Sequence, residues 1–191
     1  TLLMDPRDVE QKVTCRTRAI LAVDFAGQPC DYDALRRIAR RHELALVADA
    51  CHATGGSDRG RPVGSLADLS TFSFHPVKHM TCGEGGMITT DDPKLAARMR
   101  LFRNHGITTD MRQRARLGQF HYEMVALGTN ARLTDFQCAL GLAQLRKLPR
   151  FVRKRRAIAA RYDREFAKVP GVRPLAVRPG VGHAYHLYVV R

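Results

Sequence analysis

Lys78 stands between a short β-type run, Ser70–Phe74, and a glycine-rich turn, Gly83-Glu84-Gly85-Gly86. That order can hold a reactive amine beside backbone that binds an anion. A lysine amine condenses with a carbonyl cofactor only after losing its proton, which requires partial desolvation or nearby positive charge. His75 and His79 flank Lys78, and Pro76, Val77 and Met80 reduce its exposure. A second signal is Leu44–Ala48, a nearly continuous apolar run of the buried parallel type, which ends on Asp49. Open α/β sheets gather their ligands at the carboxyl ends of strands, and a carboxylate there can keep a pyridine nitrogen protonated. Lys78 and Asp49 together predict a site of the pyridoxal phosphate kind.

Each residue also has a plainer reading. A lysine among histidines is commonly a surface residue, and an acid at a strand end commonly caps the next turn. Ser73 and the glycine turn offer a hydroxyl and flexible backbone, which suit either an anionic group or a tight turn. The glycines match neither the nucleotide P-loop nor the dinucleotide fingerprint. Cys51 and His52 are adjacent at a strand end and face opposite sides, so they do not form a thiol–imidazole catalytic pair.

The elements needed to position these residues alternate in the α/β manner. Asp5-Pro6 predicts a helix start running to about Lys12, Ala19–Phe25 a strand, and Asp31 the cap of a helix with Leu35, Ile38 and Ala39 buried. Leu69–Phe74 and Gly86–Thr90 read as neighbouring antiparallel strands around the lysine turn. Asp91 or Asp92 with Pro93 opens a helix with Leu95, Met99 and Phe102 inward. Arg103–Leu127 reads as a long loop. Thr134 and Gln137 have capping-box spacing for a helix carrying Phe136, Leu140 and Leu148, which Pro149 breaks or kinks. A basic amphipathic helix follows, with Phe151, Ile158, Tyr162 and Phe166 on its packed face, and Ala184–Val190 reads as a strand.

The 191 residues suffice for one core, and 45% hydrophobic composition argues against wholesale disorder. There is no apolar run of ~18 residues and no signal-peptide pattern, so the cytoplasm is the expected compartment and no membrane the expected partner. Five scattered cysteines without a CxxC pair predict reduced thiols and no metal site. A net charge of +14 admits a polyanion partner. Its densest run, Arg150–Arg156 with Arg161 and Arg164, reads first as the solvated side of a helix, which makes nucleic acid the lesser expectation.

Asp49-Ala50-Cys51-His52-Ala53, Ser73-Phe74-His75-Pro76-Val77-Lys78, Thr81–Gly86, Gly128–Asp135 and His186-Leu187-Tyr188 occur in the order and type that resemble the DegT/DnrJ/EryC1/StrS family of nucleotide-sugar aminotransferases. The likeness covers essentially the whole chain. His105-Gly106-Ile107-Thr108 and Gly60–Gly64 resemble its pseudaminic-acid branch, which aminates C4 of a UDP-linked 4-keto-6-deoxy-N-acetylhexosamine. The resemblance implies the central part of the large domain of the fold type I pyridoxal phosphate transferases, a mixed and mostly parallel sheet with flanking helices. It implies pyridoxal 5'-phosphate linked to Lys78, which also carries the proton, with Asp49 on the pyridine nitrogen. His52 would lie near the ring, Ser73 at the phosphate and His186 at the sugar end. Asn130 would reach the phosphate of the partner subunit's cofactor, so a homodimer with shared active sites is implied, with glutamate as donor.

By the same resemblance, residues 1–148 correspond to part of the large domain and 149–191 to a connecting helix and the start of a small domain. Both are expected to be incomplete, and the 191 residues alone are expected to be inactive. Cys51 replaces a usual alanine or serine, and Thr129 and Ala131 flank Asn130 where aromatics are usual. Two alternatives remain: a sugar dehydratase of the same fold, in which histidine replaces the lysine, and a noncatalytic polyanion-binding domain centred on the basic helix.

Overall fold

The computed structural model describes residues 1–109, 111–118 and 120–191. Asp5 accepts a hydrogen bond from the Arg7 N–H, and Pro6 needs no donor in the first turn, so α1 spans Pro6–Lys12. β1 (Ala19–Val23) leads into a tight turn, and Asp31 caps α2 (Tyr32–Arg41) by accepting from the Ala34 N–H. β2 (Ala45–Asp49) follows, then a small hairpin of β3 (Ser57–Asp58) and β4 (Arg61–Pro62). β5 (Leu69–Ser73) and β6 (Gly86–Thr89) enclose the lysine turn. The strands order as β1-β2-β5-β6, the first three parallel and β6 antiparallel to β5. This is the expected mixed, mostly parallel sheet.

Alternation along β1 and β2 turns Ile20, Ala22, Leu46 and Ala48 to one face, where Tyr32, Leu35, Ile38 and Ala39 of α2 cover them. A fully buried leucine such as Leu35 contributes about 1.5–3 kcal/mol to this layer. The other face is not covered in the same way: Leu21 is 57% exposed and Val23 also faces outward. The apolar run into Asp49 is therefore buried on one side only.

Asp92 caps α3 (Pro93–Arg103) as expected, but Phe102 is exposed and no residue of that helix is buried. The long loop contains a short helix, α4 (Met111–Leu117). Thr134 and Gln137 form the reciprocal capping box of α5 (Asp135–Leu145), although Phe136 is exposed. Pro149 does not break a helix; it lies in the first turn of a new one, α6 (Leu148–Phe166). The buried side of α6 is Leu148, Val152 and Ala159, whereas Tyr162 and Phe166 gather around Tyr188 with ring centroids 5.1 and 5.9 Å away. β7 (Val181–Gly182) joins β3 and β4 in a second sheet.

Residues 184–190 do not form the expected strand. The second half meets residues 173–175 through an isolated antiparallel bridge of Val190 to Pro174, with Val189 O accepting from the Leu175 N–H at 3.2 Å, while the first half bonds to the turn after β1, the Ala184 N–H donating to Gly27 O at 2.8 Å and the Leu187 N–H to Ala26 O at 3.2 Å. Ala26 (φ 60°) and Tyr185 (φ 50°) both adopt the left-handed region to allow this contact, at about 1–2 kcal/mol each. Gly27 (φ +107°) is required on two counts, because a Cβ there would lie 2.7 Å from Tyr185 N and 2.9 Å from both His186 N and His52 O. Gln28 and Arg178 extend the seam, with Arg178 N–H donating to Gln28 Oε1 and its guanidinium to the carbonyls of Pro29 and Cys30.

Gly27→Ala is expected to destabilise the protein by at least ~2 kcal/mol, since both the backbone angle and the close approach resist a side chain. Gly60→Ala is the comparison: φ there is +79° with open space around it, so only the angular strain applies. Denaturant unfolding of both variants checks this, and equal losses would contradict it.

Candidate active site

The lysine turn is closed by one carbonyl. Phe74 O accepts from the Cys82 N–H at 3.1 Å and from Thr81 Oγ1 at 2.9 Å, while the Phe74 N–H donates to Gly85 O at 2.8 Å. Within that closed turn the Lys78 N–H donates to His75 O at 3.0 Å. The Lys78 side chain is half-buried, and among the described residues its Nζ has no hydrogen-bond or ion-pair partner. From outside, Gln137 Nε2 donates to Glu84 O at 2.9 Å, so the capping residue of α5 also fixes the glycine turn.

Asp49 ends β2 in register with Val23 of β1 and Thr71 of β5. Its Oδ1 accepts from the Cys51 N–H at 3.1 Å, which is the turn-capping role expected of an acid there. Its Oδ2 has no hydrogen bond among the described residues, so the carboxylate retains an acceptor for a ligand. Three residues on, the His52 ring lies 4.4 Å from that of His186, and His186 lies 5.5 Å from His79. Burial, followed by the nearby charge of Lys78, holds His52 below the usual imidazole range, with Asp49 opposing. His186 is lowered to about 4, by burial first and then by His52 and Lys78. Cys51 is pushed up to about 11, chiefly by burial and by Asp49, which keeps it a protonated thiol.

The structure thus brings Lys78, Asp49, His52 and His186 into one electrostatic neighbourhood. Ser73 ends β5, and its Oγ accepts from the His75 N–H at 3.3 Å, immediately before the turn. Asn130 is exposed and bridges Asn104 rather than any of these four. The residues fit a pyridoxal phosphate site. They combine an unpartnered amine, a strand-end carboxylate with a free oxygen, and imidazole Nδ1 atoms of His52 and His186 that are buried without partners. Among the described residues no group of three or more His, Cys, Asp or Glu could hold a metal ion, and no helix is long and apolar enough to cross a membrane.

Sequence reasoning missed three contributors. Asp24 follows β1 as Asp49 ends β2, and the same acid-at-strand-end signal marks it. It is fully buried; Oδ1 accepts from the Cys30 N–H at 2.9 Å and Tyr32 OH at 2.7 Å, and Oδ2 is unpaired. Its own N–H donates to Asp49 O at 2.9 Å, joining the two acid-bearing strand ends. Arg155 and Arg156 belong to the basic run, yet they point to the site segment: Arg155 donates to the carbonyls of Tyr185 and His186 at 3.0 and 3.3 Å, and Arg156 to His183 O at 2.8 Å. Only the remainder of that run is a free basic face.

Burial, outweighing its two hydrogen bonds, raises Asp24 from 3.8 to about 7. A carboxyl raised on folding binds its proton more tightly in the native state, so its contribution is present at low pH and lost as pH rises through about 7. Asp24→Asn keeps an oxygen acceptor and removes the titration. Its melting temperature relative to wild type is expected to climb between about pH 5 and about pH 8, and parallel curves would contradict this.

The family model described as the DegT/DnrJ/EryC1/StrS aminotransferase family matches residues 1–191. SpsC of Bacillus subtilis, a spore coat polysaccharide biosynthesis protein, is 40% identical over 192 residues, covering 100% of this chain and 49% of SpsC. Among solved structures, Helicobacter pylori PseC, an aminotransferase involved in the biosynthesis of pseudoaminic acid, superposes with a TM-score of 0.90 at 35% identity, covering 98% of this chain and 49% of PseC. A putative sugar aminotransferase of Streptococcus pneumoniae, Spr1654, solved in its PLP form, gives a TM-score of 0.89 at 32% identity, covering 100% of this chain and 52% of that one. The chain spans about half the length of these relatives. With the motifs around Lys78 and Asp49 in place, the chain belongs to the DegT/DnrJ/EryC1/StrS aminotransferase family.

Proposed function

We propose that the protein carrying this chain is a pyridoxal phosphate-dependent aminotransferase of nucleotide sugars. It moves an amino group from L-glutamate to C4 of a UDP-linked 4-keto-6-deoxy-N-acetylhexosamine, in the manner of the pseudaminic-acid branch. The observation that carries the reading is that the unpartnered Lys78 amine and the strand-end Asp49 both act on His52, within a group of imidazoles kept uncharged. Similarity to PseC supports the choice of sugar. Residues 1–148 are assigned to the large domain and 149–191 to the connecting helix and the start of the small domain.

When bound, pyridoxal phosphate supplies an electron-withdrawing ring that stabilises negative charge at the carbon losing its proton. Lys78 would hold the cofactor covalently and, once released, its amine would take that proton and deliver it to the carbon on the other side of the transferred nitrogen. Asp49 would accept from the ring N–H, its Oδ2 being the oxygen that the Cys51 N–H does not use. His52 borders the ring, and because burial keeps it neutral it adds no positive charge next to the reacting amine. Ser73 and the glycine turn would hold the phosphate, and His186 would face the sugar. Asn130, exposed on its loop, serves the cofactor of the partner subunit in a homodimer. Lys78 favours this reaction over the dehydratase alternative, which has histidine in its place.

The test is conversion of the UDP-keto-sugar to its 4-amino product by the full-length protein with pyridoxal phosphate and glutamate. Lys78→Ala should fold, by circular dichroism, while turnover drops by roughly a thousandfold or more. Retained turnover would eliminate the lysine role, and an inactive wild type would eliminate the substrate. Asp49→Asn should slow the half-reaction with glutamate by on the order of 100-fold, with little change in stability. A stopped-flow rate equal to wild type would exclude the carboxylate's role.

A further inference from the structure

His79 follows the lysine, is 4% exposed, and has no part in the reading above. Its Nε2 lies 3.0 Å from Ala184 O. A carbonyl only accepts, so Nε2 carries the proton, and Nδ1 keeps a buried lone pair without a partner. Protonating Nδ1 would bury an unpaired charged donor, which is more costly still. The groups facing the ring reinforce the neutral form. His79 is lowered to about 4, by burial first and also by Arg155, His52 and Lys78, while only the bond to Ala184 O opposes.

The residue that His79 grips has no other freedom. Ala184 is fully buried, its N–H is committed to Gly27 O, and two residues later the chain presents His186. The His186 ring then lies between His79 and His52, tilted 44° to the first and 38° to the second. One side chain from the lysine turn therefore holds the backbone that carries His186 and also supplies a wall for its ring.

We propose that His79 is a positioning residue that sets the place and the neutral state of His186, and through that ring the place of His52, by donating to the Ala184 carbonyl. It touches neither reacting atom; it acts through the two rings that do border the site. The effect on substrate rests on the assignment of His186 to the sugar side made above, but the effect on the rings does not.

The experiment reads both, on full-length protein with 15N-labelled histidine, comparing wild type, His79→Leu and His79→Gln. In wild type, ring NMR should show His79 in the Nε2–H tautomer, without titrating as pH is lowered to about 5.5. His79→Leu removes the donor and the polar wall, so His186 should titrate closer to the ordinary imidazole value and the His52 ring signals should shift. The KM for the keto-sugar should rise by on the order of tenfold while kcat changes by less than about threefold. Glutamine places an amide near the former Nε2, so His79→Gln should recover most of the His186 titration. Wild-type His79 in the Nδ1–H tautomer would overturn the proposal even if His79→Leu fails to fold. So would a folded His79→Leu with unchanged His186 and His52 signals. A wild type that makes no aminated sugar, yet shows the expected ring responses, would overturn the function proposed above and support the role of His79.

Discussion

The site depends on one close backbone approach, that of Ala26-Gly27 to residues 184–187. Two hydrogen bonds cross it, and the absence of a side chain at Gly27 lets Tyr185 and His186 lie directly above the end of β1 and against His52 O. Without that contact the C-terminal segment would have no fixed relation to the sheet, because it adds no strand to the four-stranded sheet. On either side of this contact Ala26 and Tyr185, neither of them glycine, take left-handed conformations, which shows that the approach is held against local backbone preference. Arg155, Arg156 and Arg178 supply the restraint, donating to the carbonyls of Tyr185, His183 and Pro29 respectively.

Electrostatics follow from this packing. The segment covers the imidazoles of His52, His79 and His186, and burial is the first cause of the lowered basicity of all three. The uncharged imidazoles add no positive charge to surroundings that already hold Lys78 and Arg155, with Asp49 opposing at His52. Below the strand ends, Asp24 is linked to Asp49 through the backbone and to α2 through Tyr32, so the carboxylate that would meet a cofactor is anchored to the best-packed layer of the molecule. A site spread over four chain segments thus inherits the rigidity of the β1-β2-α2 core.

What could be read in the sequence was what is determined locally. Asp5-Pro6, Asp31, Asp92-Pro93 and the Thr134/Gln137 box each satisfy nearby backbone donors, and each helix begins where they indicate. Lys78 and Asp49 were legible because a strand end and a glycine turn are short-range signals. The failures are long-range. Ala184–Val190 has the apolar character of a strand, but its backbone partners are divided between Ala26 and Gly27 on one side and Pro174 and Leu175 on the other, which no local pattern reveals. His79 reads as a neighbour of the lysine, while its partner is 105 residues away. Phe102 and Phe136 have helical spacing, but spacing does not say whether anything covers that face, and both are exposed. Arg155 and Arg156 are indistinguishable by composition from the solvated arginines beside them.

The central claim is that the amine of Lys78, alone among the lysines, makes the covalent link to pyridoxal phosphate. Borohydride reduction of the cofactor-loaded full-length protein, followed by peptide mass mapping, tests it without requiring the sugar substrate to be known. One phosphopyridoxyl adduct is expected, on the peptide carrying Lys78. An adduct on another lysine, or none in protein that retains the cofactor, would contradict it.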